Sequence, residues 1–210
     1  MVQAVIFDMD GTVLNTLFDL TESVNFSLKK FSLPPKTIEE VRKAVGNGVY
    51  KLAKRVLPEN FSEDELSKWL EIFKNHYSKN MYNHTKPYDE ILDVLKELKT
   101  KGIKTAIVSN KYDSAVKELS KKYFKDLIDV SIGQSDEIEP KPSPKGIIKA
   151  INELNIQSAI YVGDSDVDIQ TAQNANLPVI GVTWGFRDRE NLTGADYIID
   201  KPCEILNIIF

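Results

Sequence analysis

Cysteine is almost missing from this 210-residue chain: Cys203 stands alone, with no second thiol and no histidine close to it in sequence, so neither an intramolecular disulfide nor a thiolate metal cluster can form. A reducing, cytoplasmic setting is the expectation that follows. Long apolar runs are missing too. No stretch approaches the roughly 20 residues a membrane-crossing helix needs, and the opening run Val2–Phe7 is too short for the core of a secretion signal and is followed at once by acids. Excess positive charge is absent as well. Lys and Arg number 27 against 31 Asp and Glu, a formal net charge of −4, which removes any general electrostatic case for binding nucleic acid or an acidic membrane. An anionic ligand must therefore be held by local cations or a metal. No internal repeat or low-complexity tract interrupts the chain.

What is present is enough to build a core, since 42% of the residues are hydrophobic. Five short runs rich in Val and Ile read as buried strands: Val2 to Phe7, Ile103 to Val108, Leu127 to Ile132, Ala159 to Val162 and Val179 to Val182, with Tyr197 to Ile199 as a weaker sixth. Amphipathic stretches separate them, such as Ile91, Leu92, Leu95 and Leu98 on one helical face. Alternating strand and helix predicts an α/β fold, a Rossmann-like parallel sheet covered on both sides. Residues 15–82 break the rhythm. They show no strand pattern but several helical segments, including Leu66, Trp69, Leu70 and Phe73, and read as an all-helical cap inserted into a core made of residues 1–14 and 83–210. Such an insertion, following the first strand, would hang over the carboxyl edge of the sheet, where open α/β proteins place their ligands.

Four constellations stand at strand ends. Asp8-Met9-Asp10-Gly11-Thr12 closes the first strand, and strand periodicity sends Asp8 and Asp10 to the same side. Ser109-Asn110 follows the second. Lys141 lies between Pro140 and Pro142, held extended by the following proline, with Ser143 as the predicted cap of a helix whose Ile147, Ile148, Ile151 and Leu154 face inward. Gly163-Asp164-Ser165-Asp166-Val167-Asp168 packs three acids into five residues after a buried strand, a density that calls for a cation. Each alone also admits an ordinary reading: a turn, a helix cap, a solvated lysine, an acid-rich helix start. Together, at one edge of one sheet, they make an oxygen-rich site suited to Mg²⁺, with a nucleophilic carboxylate, a second carboxylate for proton transfer and groups to cage phosphoryl oxygens.

In order and spacing these four segments resemble the haloacid dehalogenase superfamily, and within it the phosphoglycolate phosphatases, through Val45-Gly46-Asn47-Gly48, Ser109-Asn110-Lys111 and Gly181-Val182-Thr183-Trp184-Gly185. The resemblance implies Asp8 as nucleophile and Asp10 as general acid and base. It implies substrate contacts from Gly11, Ser109, Asn110 and Lys141, and Mg²⁺ held by Asp8, the Asp10 carbonyl and Asp164 with support from Asp168. The family often has Asp where Asn15 stands and usually Gly where Glu90 stands, both near the junctions of cap and core. The implied partner is a small phosphorylated metabolite, phosphoglycolate being the named candidate, acted on by a monomer or weak dimer; an inorganic pyrophosphatase or a phosphohexomutase would use the same parts. Specificity would come from the cap. A substrate carboxylate would want a cation from Arg42, Lys43, Lys51, Lys54 or Arg55, although these also read as solvated helix-face charges. His76 and His84 have the same standing, and Trp184, Phe186 and Arg187 either line the entrance or pack as an aromatic loop.

Overall fold

A computed structural model describes residues 2–210. The chain opens with β1 (Ala4–Phe7) and the two-residue β2 (Leu14–Asn15), then runs through four helices: α1 (Leu17–Lys30), α2 (Ile38–Ala44), α3 (Val49–Val56) and α4 (Glu63–Asn80). A short β3 (Lys86–Pro87) returns to pair antiparallel with β2. From there strand and helix alternate: α5 (Ile91–Thr100), β4 (Lys104–Tyr112), α6 (Asp113–Tyr123), β5 (Val130–Gln134), α7 (Lys145–Leu154), β6 (Ala159–Gly163), α8 (Asp166–Asn174), β7 (Val179–Val182), then β8 (Tyr197–Ile199) and α9 (Glu204–Ile209).

Six strands form one parallel sheet in the order β5–β4–β1–β6–β7–β8. All four residues of β1 are fully buried because helices cover both faces, and their side chains divide by parity. Val5 and Phe7 join one hydrophobic cluster with Leu95, Val116 and Ile205, whereas Ala4 and Ile6 join another with Ile147 and Tyr161. The strand order reverses direction about β1, so the chain leaves the carboxyl ends of β1, β4 and β6 on one edge. All four constellations lie there.

The helical stretch has its own internal logic. Thr37 with Glu40 and Ser62 with Glu65 form capping boxes that start α2 and α4. Along α4, Leu66, Trp69, Phe73 and Tyr77 are buried at helical spacing, and the last three stack ring on ring at 5.3 and 5.6 Å. Among the described residues no helix is long and apolar enough to cross a membrane.

Several local expectations differ from the structure. Asn15 lies in a strand, because the chain entering the helices pairs with the chain leaving them. The third sheet strand begins at Val130 rather than Leu127, since Lys125–Leu127 makes a 3₁₀ turn. The second continues past Val108 to Tyr112 through a register irregularity. Ile148 is 47% exposed while Ile147, Ala150 and Leu154 carry the buried face of α7. Its capping position is held by Pro144, one residue after the expected Ser143. Glu90 caps α5 in the left-handed region at φ 65°, a conformation that suits glycine better.

Candidate active site

Pairing between β1 and β6 carries on one step beyond the strand, the Asp8 amide donating to the Val162 carbonyl at 2.9 Å. The backbone of Asp8 is thus part of the sheet. The turn that follows is tight: the Met9 carbonyl accepts from the amides of Thr12, Val13 and Leu14. Gly11 sits within it at φ +86°, and a Cβ there would fall inside the Asp164 carboxylate, so only glycine lets the two loops meet.

Around that turn the distant segments converge. Lys141 is buried, its ammonium 2.8 Å from Asp8 Oδ1 and 2.6 Å from Asp168 Oδ1. The first contact is an ion pair outside hydrogen-bonding geometry, which leaves Asp8 Oδ1 a buried acceptor with no hydrogen-bond donor. Asp168 is fully committed: Oδ1 accepts from Lys141 and Tyr161, and Oδ2 from the amide and hydroxyl of Ser165. It completes the Ser165 capping box that starts α8 and anchors the lysine. Asn110 is committed likewise, accepting from the Lys141 amide at 2.6 Å and donating to its carbonyl at 3.1 Å, so its side chain fixes the Lys141 loop. Asp164 accepts from the Phe186 amide at 2.7 Å and more weakly from the Thr12 hydroxyl at 3.4 Å. Ser109 is buried at the end of β4 and lines the same cavity as Asp8.

Charge is unbalanced at this point. Oxygens of Asp8, Asp164 and Asp168 all lie within 4.8 Å of one another, with one lysine among them. Burial pushes the Asp8 carboxyl up to about 6, against the pull of Lys141 and with the push of Asp168. It pushes Asp164 further, to about 8, with the Asp168 and Asp8 charges adding to it. Burial works against the Lys141 ammonium, but Asp168 and Asp8 hold it well above its usual range. A hard divalent cation fits this set, because the donors are carboxylate oxygens and one of them is without a hydrogen-bond partner.

Asp10 lines the same cavity and makes a different pair of contacts. Thr16 donates to its Oδ1 at 2.7 Å and the Lys111 ammonium to its Oδ2 at 2.8 Å. Sequence reasoning gave Lys111 no role of its own. Tyr161, Thr16 and Tyr77 were likewise missed, and no spacing rule would have found them, since each reaches the site only through the fold.

A cavity of about 60 Å³ joins these groups to the helices. Asp8, Asp10, Ser109 and Asp164 line one side, and Gly48, Leu52, Phe73 and Tyr77 of the helical stretch line the other. Arg187 reaches from the loop after β7 to the carbonyls of Arg42, Lys43 and Val45 at the end of α2. Arg42 returns the contact, donating to the Phe186 carbonyl and to Asp188. Four of the five cations considered for reading a substrate are engaged elsewhere, Arg42 here, Lys43 with Glu39, Lys54 with Glu63, and Arg55 with Ala44 and Asn47, while Lys51 is exposed and outside the cavity lining. His76 meets Ser23 and His84 lies near Glu22, both outside the cavity lining. Trp184 packs its indole N–H on the Thr12 carbonyl, while Phe186 and Arg187 line the cavity.

Comparison with known proteins gives concordant results. A family model described as haloacid dehalogenase-like hydrolase matches residues 5–182. The phosphoglycolate phosphatase of Aquifex aeolicus is 32% identical over 99% of this chain and 96% of its own length, and that of Haemophilus influenzae 31% over 97% and 96%. The crystal structure of a candidate phosphoglycolate phosphatase from Lactobacillus delbrueckii subsp. bulgaricus superposes with a TM-score of 0.95 at 32% identity, covering 99% of this chain and 98% of that one.

Proposed function

This chain belongs to the haloacid dehalogenase-like hydrolase family, and on that premise we propose that it is a Mg²⁺-dependent phosphatase of a small phosphorylated metabolite, phosphoglycolate being the leading candidate, working through an aspartyl-phosphate on Asp8. The observation that carries the reading is the Asp8 carboxylate itself. It is buried, fixed to the sheet by its own backbone, ion-paired through Oδ1 with Lys141, and lines a cavity also lined by Asp10 and Ser109.

Mg²⁺ would be held by Asp8, the Asp10 carbonyl and Asp164, backed by Asp168, and when bound it supplies positive charge for the phosphoryl oxygens and keeps Asp8 ionised. Asp8 attacks phosphorus, forming an O–P bond as the ester O–P bond breaks. Asp10, steadied by Thr16 and Lys111, gives a proton to the departing alkoxide and then takes one from the water that hydrolyses the aspartyl-phosphate. Lys141 and Ser109 face the transferring oxygens, and Asn110 keeps the lysine loop in place. Residues 15–82 act as the cap: with the helices closed, the cavity excludes bulk water and strengthens every charge inside it. Its volume matches roughly four to six waters, which suits a leaving group of a few non-hydrogen atoms.

The test is phosphate release from phosphoglycolate and from a generic aryl phosphate, with Mg²⁺ and with EDTA. Turnover that requires Mg²⁺ supports the reading, and equal, negligible turnover of every ester in both conditions removes it.

A further inference from the structure

Resting on that phosphatase reading, we propose that the leaving-group side of the cavity is a carboxylate-binding subsite made by the Lys111 ammonium, the Tyr77 hydroxyl and the N-terminus of α3, so that the enzyme selects short phosphate esters bearing a carboxylate beside the ester carbon.

Three independent features meet there. The Lys111 side chain is 5% exposed; its ammonium donates to Asp10 Oδ2 at 2.8 Å and lies against the Tyr77 hydroxyl oxygen. An ammonium has three N–H donors, so even with both contacts made one remains for a ligand. Tyr77 is 3% exposed and lines the cavity, yet its hydroxyl proton has no acceptor, because the neighbouring Lys111 ammonium can only donate, a state that costs free energy unless an acceptor arrives. The Lys111 ammonium lies 4.6 Å from the centre of the Tyr77 ring, so both donors border the same space. α3 starts at the cavity, with Gly48 in the capping position, no side-chain cap and no acidic residue in its first turn. Its leading N–H groups lack intrahelical acceptors, as at every helix start, and the end of a helix that exposes them favours an anion.

The helix is held in that position by the sheet domain. At Gly48, φ is +84° and a Cβ would stand 3.2 Å from Gln134 Oε1 and 3.5 Å from the Asn110 carbonyl, so the turn lies directly on the ends of β4 and β5. Opposite charge is what this wall lacks. Apart from Asp8, Asp10 and Asp164 the cavity lining holds no carboxylate, and Leu20, Val45, Val49, Leu52, Phe73 and Phe186 make its apolar part. A neutral alkyl leaving group would leave the Tyr77 hydroxyl unpaired, whereas a carboxylate can accept from the hydroxyl, the ammonium and the helix start together. The Asp10 side keeps the ester oxygen next to its acid, which places the carboxylate only a bond or two further on.

The experiment compares kcat/KM for phosphoglycolate and for ethyl phosphate, which has a methyl in place of the carboxylate, in the Mg²⁺-loaded full chain. Wild type should favour phosphoglycolate by about 100-fold or more. Tyr77→Phe should shrink that ratio by about 10-fold and Lys111→Met by about 100-fold, the loss falling mainly in KM for phosphoglycolate. Using the ratio cancels whatever Lys111→Met does to Asp10, since that loss is common to both esters. Tyr77→Phe keeps the stacked ring and serves alone should the lysine variant not fold. A wild-type ratio near one, or a ratio that neither variant changes, with both esters still hydrolysed, overturns the subsite and leaves the phosphatase reading standing. No phosphate from any ester overturns both.

Discussion

Replacing Asp8 by Asn should abolish turnover and at the same time make the metal-free protein more stable. In the native fold burial pushes the Asp8 carboxyl up to about 6 from an ordinary value of 3.8. A folded-state pKa above the unfolded one means the native state binds the proton more tightly, so wild type loses stability as pH rises from about 4 towards 6 and stays penalised above. At about 1.4 kcal/mol per unit, the penalty approaches roughly 3 kcal/mol at pH 7 and falls below about 1 kcal/mol at pH 4. Asn carries no such penalty. Lys141 keeps Asp168 as its partner at 2.6 Å, so the substitution does not strand a buried cation. Urea unfolding in EDTA should therefore show Asp8→Asn ahead of wild type by about 2–3 kcal/mol at pH 7 and nearly level at pH 4. Added Mg²⁺ should close the gap by stabilising wild type more than the variant. A variant no more stable than wild type at pH 7, or a difference independent of pH, would refute the electrostatic account; steady turnover without deamidation would refute the covalent one.

Other perturbations probe the scaffold around the site. Gly11→Ala forces a side chain into the left-handed region and into the Asp164 carboxylate, and should lower kcat/KM by at least about 100-fold while costing about 1–3 kcal/mol in urea unfolding; near-normal kinetics would mean the loops can part freely. Lys141→Met leaves Asp8 and Asp168 buried without their cation, and should cost about 3–5 kcal/mol at pH 7, less when combined with Asp8→Asn; strict additivity of the two would contradict the pairing. Asp19→Ala removes the buried acceptor of the His84 and Thr85 amides and the Thr85 hydroxyl, and should destabilise by about 3 kcal/mol or more; a loss under about 1 kcal/mol would show those donors find other partners.

The layout of the sheet was readable from one-dimensional signals because buried parallel strands leave unbroken Val and Ile runs, as in Val179–Val182 and Tyr197–Ile199, whose limits match the structure. Where polar residues enter a strand the signal fades. β4 runs on through Ser109 and Asn110 to Tyr112, held by a partner at Gln134 that local composition does not reveal. At the site, Asp8, Asp10, Lys141 and Asp164 were visible because each sits at a strand end or in a marked turn. Lys111 and Tyr77 were not singled out, being 34 residues apart and joined only by the packing of α4 against the end of β4. Asp19 was hidden for the same reason: its partners lie 65 and 66 residues away. Arg42 and Arg55 make their contacts with carboxylates and carbonyls that lie close in space, which their sequence context does not reveal.

The two chain crossings between sheet and helices are hydrogen-bonded to each other as the β2–β3 ribbon, and Thr16, the residue just past it, begins α1 while holding Asp10. Any tilt of the helices about that ribbon would drag the threonine hydroxyl with it. Enclosure of a ligand and alignment of the proton donor would then be one mechanical event, and an acid left unaimed whenever the chamber stands open would spare the phosphorylated aspartate from premature attack by stray solvent.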